Sequence, residues 1–269
     1  PVNNFASTLE NKISQFGSLC VGIDPSETEL NNWGLEDTAH GAKEYSLRCI
    51  DAADGRVGII KPQVAFFERF GSSGFIALEE VLQAARDLDL FVIADAKRSD
   101  IGSTMLGYSQ AWFGDDSPLR VNALTVSPYL GPDSTVEMLE HARDVAGGIF
   151  LLAATSNKEA DQLQRALVDG QTVAATVLAQ AQANGLGDCG VVIGATQDLD
   201  LFGLGSVTKT DVGVPILAPG FGAQGARLSE LKQLFGASSH RVIPNLSRAL
   251  TGAGPNAMAG LIDKTRLQL

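Results

Sequence analysis

Apolar positions along this chain follow two alternating rhythms. Short, nearly unbroken apolar runs recur at residues 19–23, 57–61, 91–95, 121–126, 149–153, 190–193, 215–218 and 241–244. Continuous runs of this length are the pattern of parallel strands buried on both faces, where no face needs to be polar. Between them the spacing changes to that of amphipathic helices. Phe5, Leu9, Ile13 and Phe16 form one stripe ahead of the first run. Phe75, Leu78, Val81, Leu82 and Ala85 form a second, and Leu228, Leu231, Leu234 and Phe235 a third.

Strands alternating with helices admit a doubly wound open sheet or a closed barrel. Eight runs in 269 residues favour an α/β protein with a single (β/α)8 TIM-barrel domain over residues 1–269, in which residues 1–18 supply a helix preceding the first strand. The polar residues point the same way. Asp24, Lys61, Asp95 with Lys97, Ser127, Thr155 with Ser156, Thr196, Gln224 and Arg248 all fall at or just past the C-terminal ends of the runs. In a barrel that end is the active-site face. No stretch has the composition of an interdomain linker, and no short repeat exists beyond the strand–helix rhythm.

Composition narrows the classes. With 45% hydrophobic and 19% charged residues the chain is an ordinary globular protein rather than a disordered one. No apolar run approaches the roughly 18 residues of a membrane span, and the first 18 residues lack the layout of a signal peptide. A cytoplasmic setting without membrane association is expected. A net charge of −11 argues against nucleic acid as a partner but leaves room for a small anion, because a few cations in one cleft set the local field. Cys20, Cys49 and Cys189 show neither disulfide nor metal-ligand spacing and read as buried thiols. His40, His141 and His240 form no ligand pair, which disfavours zinc or serine–histidine chemistry.

Gly220-Phe221-Gly222-Ala223-Gln224-Gly225 matches the dinucleotide fingerprint Gly-x-Gly-x-x-Gly. It lies on the seventh run, however, and the next run ends without the acid that would hold a ribose hydroxyl. A plain flexible turn is one alternative. A phosphate cradle is the better one, since glycines let backbone N–H groups approach an anion and the loop after strand seven of a barrel is a common place for it. Arg248, just past the last run, would add a fixed positive fork.

The third run leads straight into Asp95, Lys97 and Asp100. Asp95 and Lys97 are two apart, so extended backbone would send both side chains into the barrel mouth. Asp100 could be only a helix N-cap. Lys61 and Asp24 end the second and first runs in the same manner. Burying such charges is costly unless they are paired, so an alternating cluster of this kind signals chemistry more than solvation.

At these residues the chain resembles the orotidine 5'-phosphate decarboxylase family. The resemblance rests on Asp-x-Lys-x-x-Asp-Ile over 95–101 combined with the glycine loop at 220–225, and the segments 61–68 and 95–104 resemble the family's second, longer type. It extends from Asp24 to Arg248. It implies a barrel that needs no cofactor and converts orotidine 5'-monophosphate to uridine 5'-monophosphate, in the last step of pyrimidine nucleotide synthesis. It implies that Lys97 protonates C6, that Asp95 sits beside the substrate carboxylate, and that Asp24 and Lys61 hold ribose hydroxyls. Asp100 and Thr104 would reach in from the partner of a homodimer with shared sites. Ser127 would touch the pyrimidine, Gln224 and Arg248 the phosphate, and Ile101, Pro219 and Gly222 would complete the substrate surface. One departure is Ser247, where many relatives have glycine ahead of the phosphate arginine.

Two alternatives stay open. Magnesium-dependent phosphosugar enzymes of the same superfamily share the Asp-x-Lys-x-x-Asp pattern but carry an acid at the end of strand two, where this chain has Lys61. A non-catalytic barrel binding a phosphate ligand would need cations but not the flanking carboxylates.

Overall fold

A computed structural model describes residues 4–184 and 188–269. Eight parallel strands close on themselves in sequence order: β1 (Cys20–Ile23), β2 (Ile59–Pro62), β3 (Phe91–Arg98), β4 (Ala123–Val126), β5 (Gly148–Ala154), β6 (Cys189–Ile193), β7 (Ile216–Pro219) and β8 (Val242–Leu246). Closure comes from β8 pairing with β1, with Cys20 opposite Asn245 and Val21 opposite Leu246. The architecture is a single-domain (β/α)8 barrel, so the open-sheet alternative falls away. Each apolar run predicts a strand to within three residues at either end.

Two apolar layers account for the stability. The larger lies between strands and surrounding helices, where Leu78, Val81, Leu82 and Ala85 bury the predicted stripe. The smaller fills the barrel interior with Cys20, Ile59, Phe91, Ile93, Ala123, Phe150, Val192, Leu217 and Ile243. The helix Phe5–Phe16 inserts Phe5 and Leu9 into that interior layer, with Phe5 edging onto Phe91 and Phe150 at centroid distances of 5.7 and 6.0 Å. The floor of the barrel is therefore closed by aromatic packing.

The third stripe does not make one helix. Residues Leu228–Glu230, Leu231–Phe235 and Gly236–Arg241 are three short helical pieces. Gly236 has φ 48°, and this left-handed residue ends the middle piece. A small antiparallel hairpin, Leu167–Val168 with Gln171–Thr172, is an addition outside the barrel rhythm. Among the described residues no helix is long and apolar enough to cross a membrane.

Candidate active site

The C-terminal ends of the strands surround a cavity of about 300 Å³. Asp24 just past β1, Lys61 of β2, Asp95 and Lys97 of β3, Pro219 of β7, Gln224 and Arg248 all line it. Three cations thus face two carboxylates, a locally positive balance inside an acidic protein. That balance suits an anionic ligand.

Asp95 is the hub. Its Oδ2 accepts from Lys61 Nζ at 2.8 Å and from Gln63 Nε2 at 3.0 Å. Its Oδ1 accepts from Lys97 Nζ at 2.5 Å and from Thr125 Oγ1 at 3.0 Å. Burial alone would raise this carboxyl, but the charges and hydrogen bonds of Lys61 and Lys97 hold it well below the usual carboxylate range. Burial alone would likewise lower the Lys61 ammonium, yet Asp95, and Asp24 beyond it, raise it above the ordinary lysine value. The two lysines differ in access. The Lys61 side chain is 6% exposed and that of Lys97 is 45% exposed, so Lys97 is the more accessible ammonium of the two.

Lys97 reaches this position by an unexpected route. The extended backbone of β3 is interrupted at Lys97, which has φ 51°, and the pairing of β3 with β4 shifts register between Ala94 and Arg98. A lysine in the left-handed region is strained, and such strain is held only where the surroundings over-determine it. Here Thr125 Oγ1 accepts the Lys97 backbone N–H at 3.0 Å while donating to Asp95. Arg98 is turned away from the cavity, onto Glu68 and over the rings of Tyr108 and Trp112.

Asp24, which also lines the cavity, has a buried Oδ1 with no hydrogen-bond partner among the described residues. An unsatisfied buried carboxylate oxygen is costly, and a ligand hydroxyl would satisfy it. Gly220, Gly222 and Gly225 all have positive φ, at 111°, 74° and 110°. Their loop is braced internally, with Gly222 N–H donating to Ala226 O and Ala226 N–H to Gly220 O. A Cβ on Gly222 would lie 2.7 Å from that of Ala249, so glycine is required there by space as well as by backbone. Ser247 has φ −116° and ψ −90°, outside the regular helical and extended regions, and its hydroxyl lies over Gly22, where β1 has no side chain. The serine side chain at 247 thus has space because residue 22 is glycine.

Five expected site residues do not line the cavity within this chain: Asp100, Ile101, Thr104, Ser127 and Gly222. Ile101 and Thr104 are exposed. Asp100 Oδ1 accepts the Ile101 N–H at 2.8 Å, but the cap position of the helix Gly102–Phe113 is Ile101, without a side-chain cap bond. Asp100 is therefore not that helix's N-cap. Thr155 and Ser156 line the cavity and Thr196 does not.

Gln63, Thr125 and Asn245 line the cavity and were not expected. Two of them left a trace in the sequence. Gln63 lies two residues beyond Lys61, and Thr125 is a polar residue inside an apolar run. The three cysteines are free and buried, and burial pushes the Cys20 thiol up to about 12, so it stays an inert thiol. Among the described residues no group of three or more His, Cys, Asp or Glu could hold a metal ion.

Comparison with known proteins bears on this arrangement. The family model described as orotidine 5'-phosphate decarboxylase / HUMPS family matches residues 17–260. An orotidine 5'-phosphate decarboxylase of Streptomyces coelicolor is 44% identical over 95% of this chain and 92% of its own length. A crystal structure of a candidate orotidine 5'-phosphate decarboxylase from Streptomyces avermitilis superposes with a TM-score of 0.92 at 42% identity, over 99% of this chain and 95% of that one. The structure of Leishmania donovani OMP decarboxylase gives a TM-score of 0.76 at 30% identity, over 98% and 99%.

Proposed function

The chain belongs to the orotidine 5'-phosphate decarboxylase / HUMPS family and is a lyase of that family, and from this premise we propose that it releases carbon dioxide from orotidine 5'-monophosphate with Lys97 as the proton donor to C6. The observation that carries the reading is the Lys61–Asp95–Lys97 array, in which the exposed ammonium is the outermost member.

Loss of the carboxylate leaves an electron pair in the plane of the pyrimidine ring, where the ring's own π-system cannot take it up. Stabilisation must come from outside, from a charge already in place. Lys97 supplies that charge. As the C6–carbon bond breaks, carbon dioxide departs and the pair left on C6 takes a proton from Lys97 Nζ, which becomes neutral. Asp95 keeps the ammonium charged beforehand and fixes its direction, as opposite charges favour the charged form. Asp24, with its unsatisfied oxygen, and Lys61 take the ribose hydroxyls. Gln224, Arg248 and the loop bearing Gly222 take the phosphate, with Pro219 completing the substrate surface. Binding energy from that remote phosphate can order the loop and so serve the chemical step.

Asp100, Ile101 and Thr104 fit this scheme as contributions of a second subunit. All three lie at the start of one helix and outside their own chain's cavity. A symmetric homodimer would deliver each set to the other mouth, since contacts across a two-fold axis are reciprocal. Ser127, at the end of β4, would meet the pyrimidine from the same side. The segments 61–68 and 95–104 support placing the chain in the longer, second type of the family.

Lys61 in place of an acid at the end of β2 disfavours the magnesium-dependent relatives. The deciding assay adds orotidine 5'-monophosphate to the pure protein and follows loss of orotate absorbance. No turnover would overturn the reading, and activity abolished by chelation but restored by magnesium would point to the phosphosugar branch.

A further inference from the structure

Arg248 makes no side-chain hydrogen bond or ion pair among the described residues, so its position depends on its backbone. That backbone is the four-residue helix Arg248–Thr251. A single turn has little stability of its own and is located by what it packs against. Leu250 and Thr251 are buried, and Thr251 is held at two points. Its Oγ1 donates to Glu29 Oε2 at 2.7 Å, and its carbonyl accepts the Trp33 indole N–H at 2.9 Å. The helix-end carbonyl is shared between the indole N–H and the Gly254 backbone N–H, which donates to it at 2.9 Å. Glu29 is 3% exposed, and Trp33 packs against Tyr45 with ring centroids 4.4 Å apart and planes tilted by 50°.

Glu29 and Trp33 belong to the segment that leaves β1. Asp24 opens this segment, and the Ser26 hydroxyl caps the helix Glu27–Asn32 by accepting the Glu29 N–H. Two elements carrying different parts of the proposed substrate grip are thus joined by buried hydrogen bonds behind the cavity. We propose that Glu29 and Trp33, acting through Thr251, are positioning residues that fix Arg248 at the phosphate end relative to Asp24 at the sugar end. The inference rests on the reading of the cavity given above. Neither residue lines the cavity.

The test compares Thr251→Val, which keeps the shape and loses the hydroxyl, with Thr251→Ser, which keeps the hydroxyl. Thr251→Val should raise KM for orotidine 5'-monophosphate by about tenfold, with a smaller change in kcat and little change in kcat/KM for orotidine, which lacks the phosphate. Thr251→Ser should restore most of the loss. In an Arg248→Ala background the Thr251→Val penalty should largely vanish, because a group acting through Arg248 has nothing left to position. Equal losses on both substrates, or a full penalty persisting in that background, would overturn the proposal. Should Thr251→Val fail to fold, Trp33→Phe removes the indole N–H with the ring largely kept and reads the same quantities. Wild-type protein that turns over no orotidine 5'-monophosphate would instead refute the underlying function, so the two failures are distinguishable.

Discussion

Lys97 donates to the carboxylate of Asp95 at 2.5 Å, although only Ala96 separates them and the backbone at Lys97 is left-handed. The ion pair therefore closes a tight local loop at the barrel rim. Its geometry is set by Thr125, which contacts both members. Removing the ammonium should leave the remaining ligand contacts in place. We expect Lys97→Ala to lower kcat by at least about a thousandfold while the nucleotide still binds, as seen by titration with uridine 5'-monophosphate. Activity within tenfold of wild type would remove Lys97 from the chemical step.

Arg248 lines the cavity and makes no side-chain hydrogen bond or ion pair among the described residues. Arg248→Ala should cost about 2–3 kcal/mol in kcat/KM for the nucleotide and much less for the nucleoside. Parallel kinetics on the two substrates decide this. Equal losses would mean that Arg248 does not hold the phosphate.

Asp95 separates two lysines, one of them buried, and stability should register its loss. Its native carboxyl titrates below the usual range, so its contribution is complete above the unfolded value near 4 and is lost as pH falls through the native value. Lys61 is raised, so its contribution is complete below the unfolded value near 10.4 and is lost as pH climbs through the native one. From about pH 5 to 9 the pair should contribute a flat term. Asp95→Asn strands a buried ammonium and should lower unfolding stability at pH 7 by about 3–5 kcal/mol in urea titrations. It should also flatten the acid-side slope of the stability profile. An unchanged slope would show that Asp95 is not the group responsible.

Subunit sharing can be read by mixing. Lys97→Ala and Asp100→Ala should each be nearly inactive. If Asp100 serves the partner's cavity, mixed dimers carry one intact and one doubly altered site. Random pairing of equal amounts then restores roughly a quarter of wild-type activity. No recovery despite demonstrated subunit exchange would place Asp100 in service of its own chain.

The barrel was legible because its strands are buried on both faces, which leaves continuous apolar runs that few other arrangements produce. The charges at the mouth were legible for the complementary reason: Asp24, Lys61 and Asp95 interrupt apolar surroundings where an unpaired charge is costly. Hub partners were harder to see. Gln63 and Thr125 are neutral, and what makes them matter is proximity to Asp95 across neighbouring strands, which no local pattern reports. The turn at Lys97 was hidden for another reason. Lysine has no local preference for positive φ, so its conformation is imposed by tertiary contacts. The third apolar stripe was misleading because hydrophobic spacing survives in consecutive short turns, and Gly236 breaks the run without altering the spacing ahead of it.

Phe5, wedged against Phe91 and Phe150, turns the barrel into a vessel with a stopper at one end. In such a vessel entry and exit use the same rim. Under the proposed reaction, the gas set free beside Lys97 has to escape past the nucleotide or wait for it to leave. Both products would leave by the rim that carries the glycine loop, and the aromatic plug at the opposite end of the barrel is what imposes that shared exit.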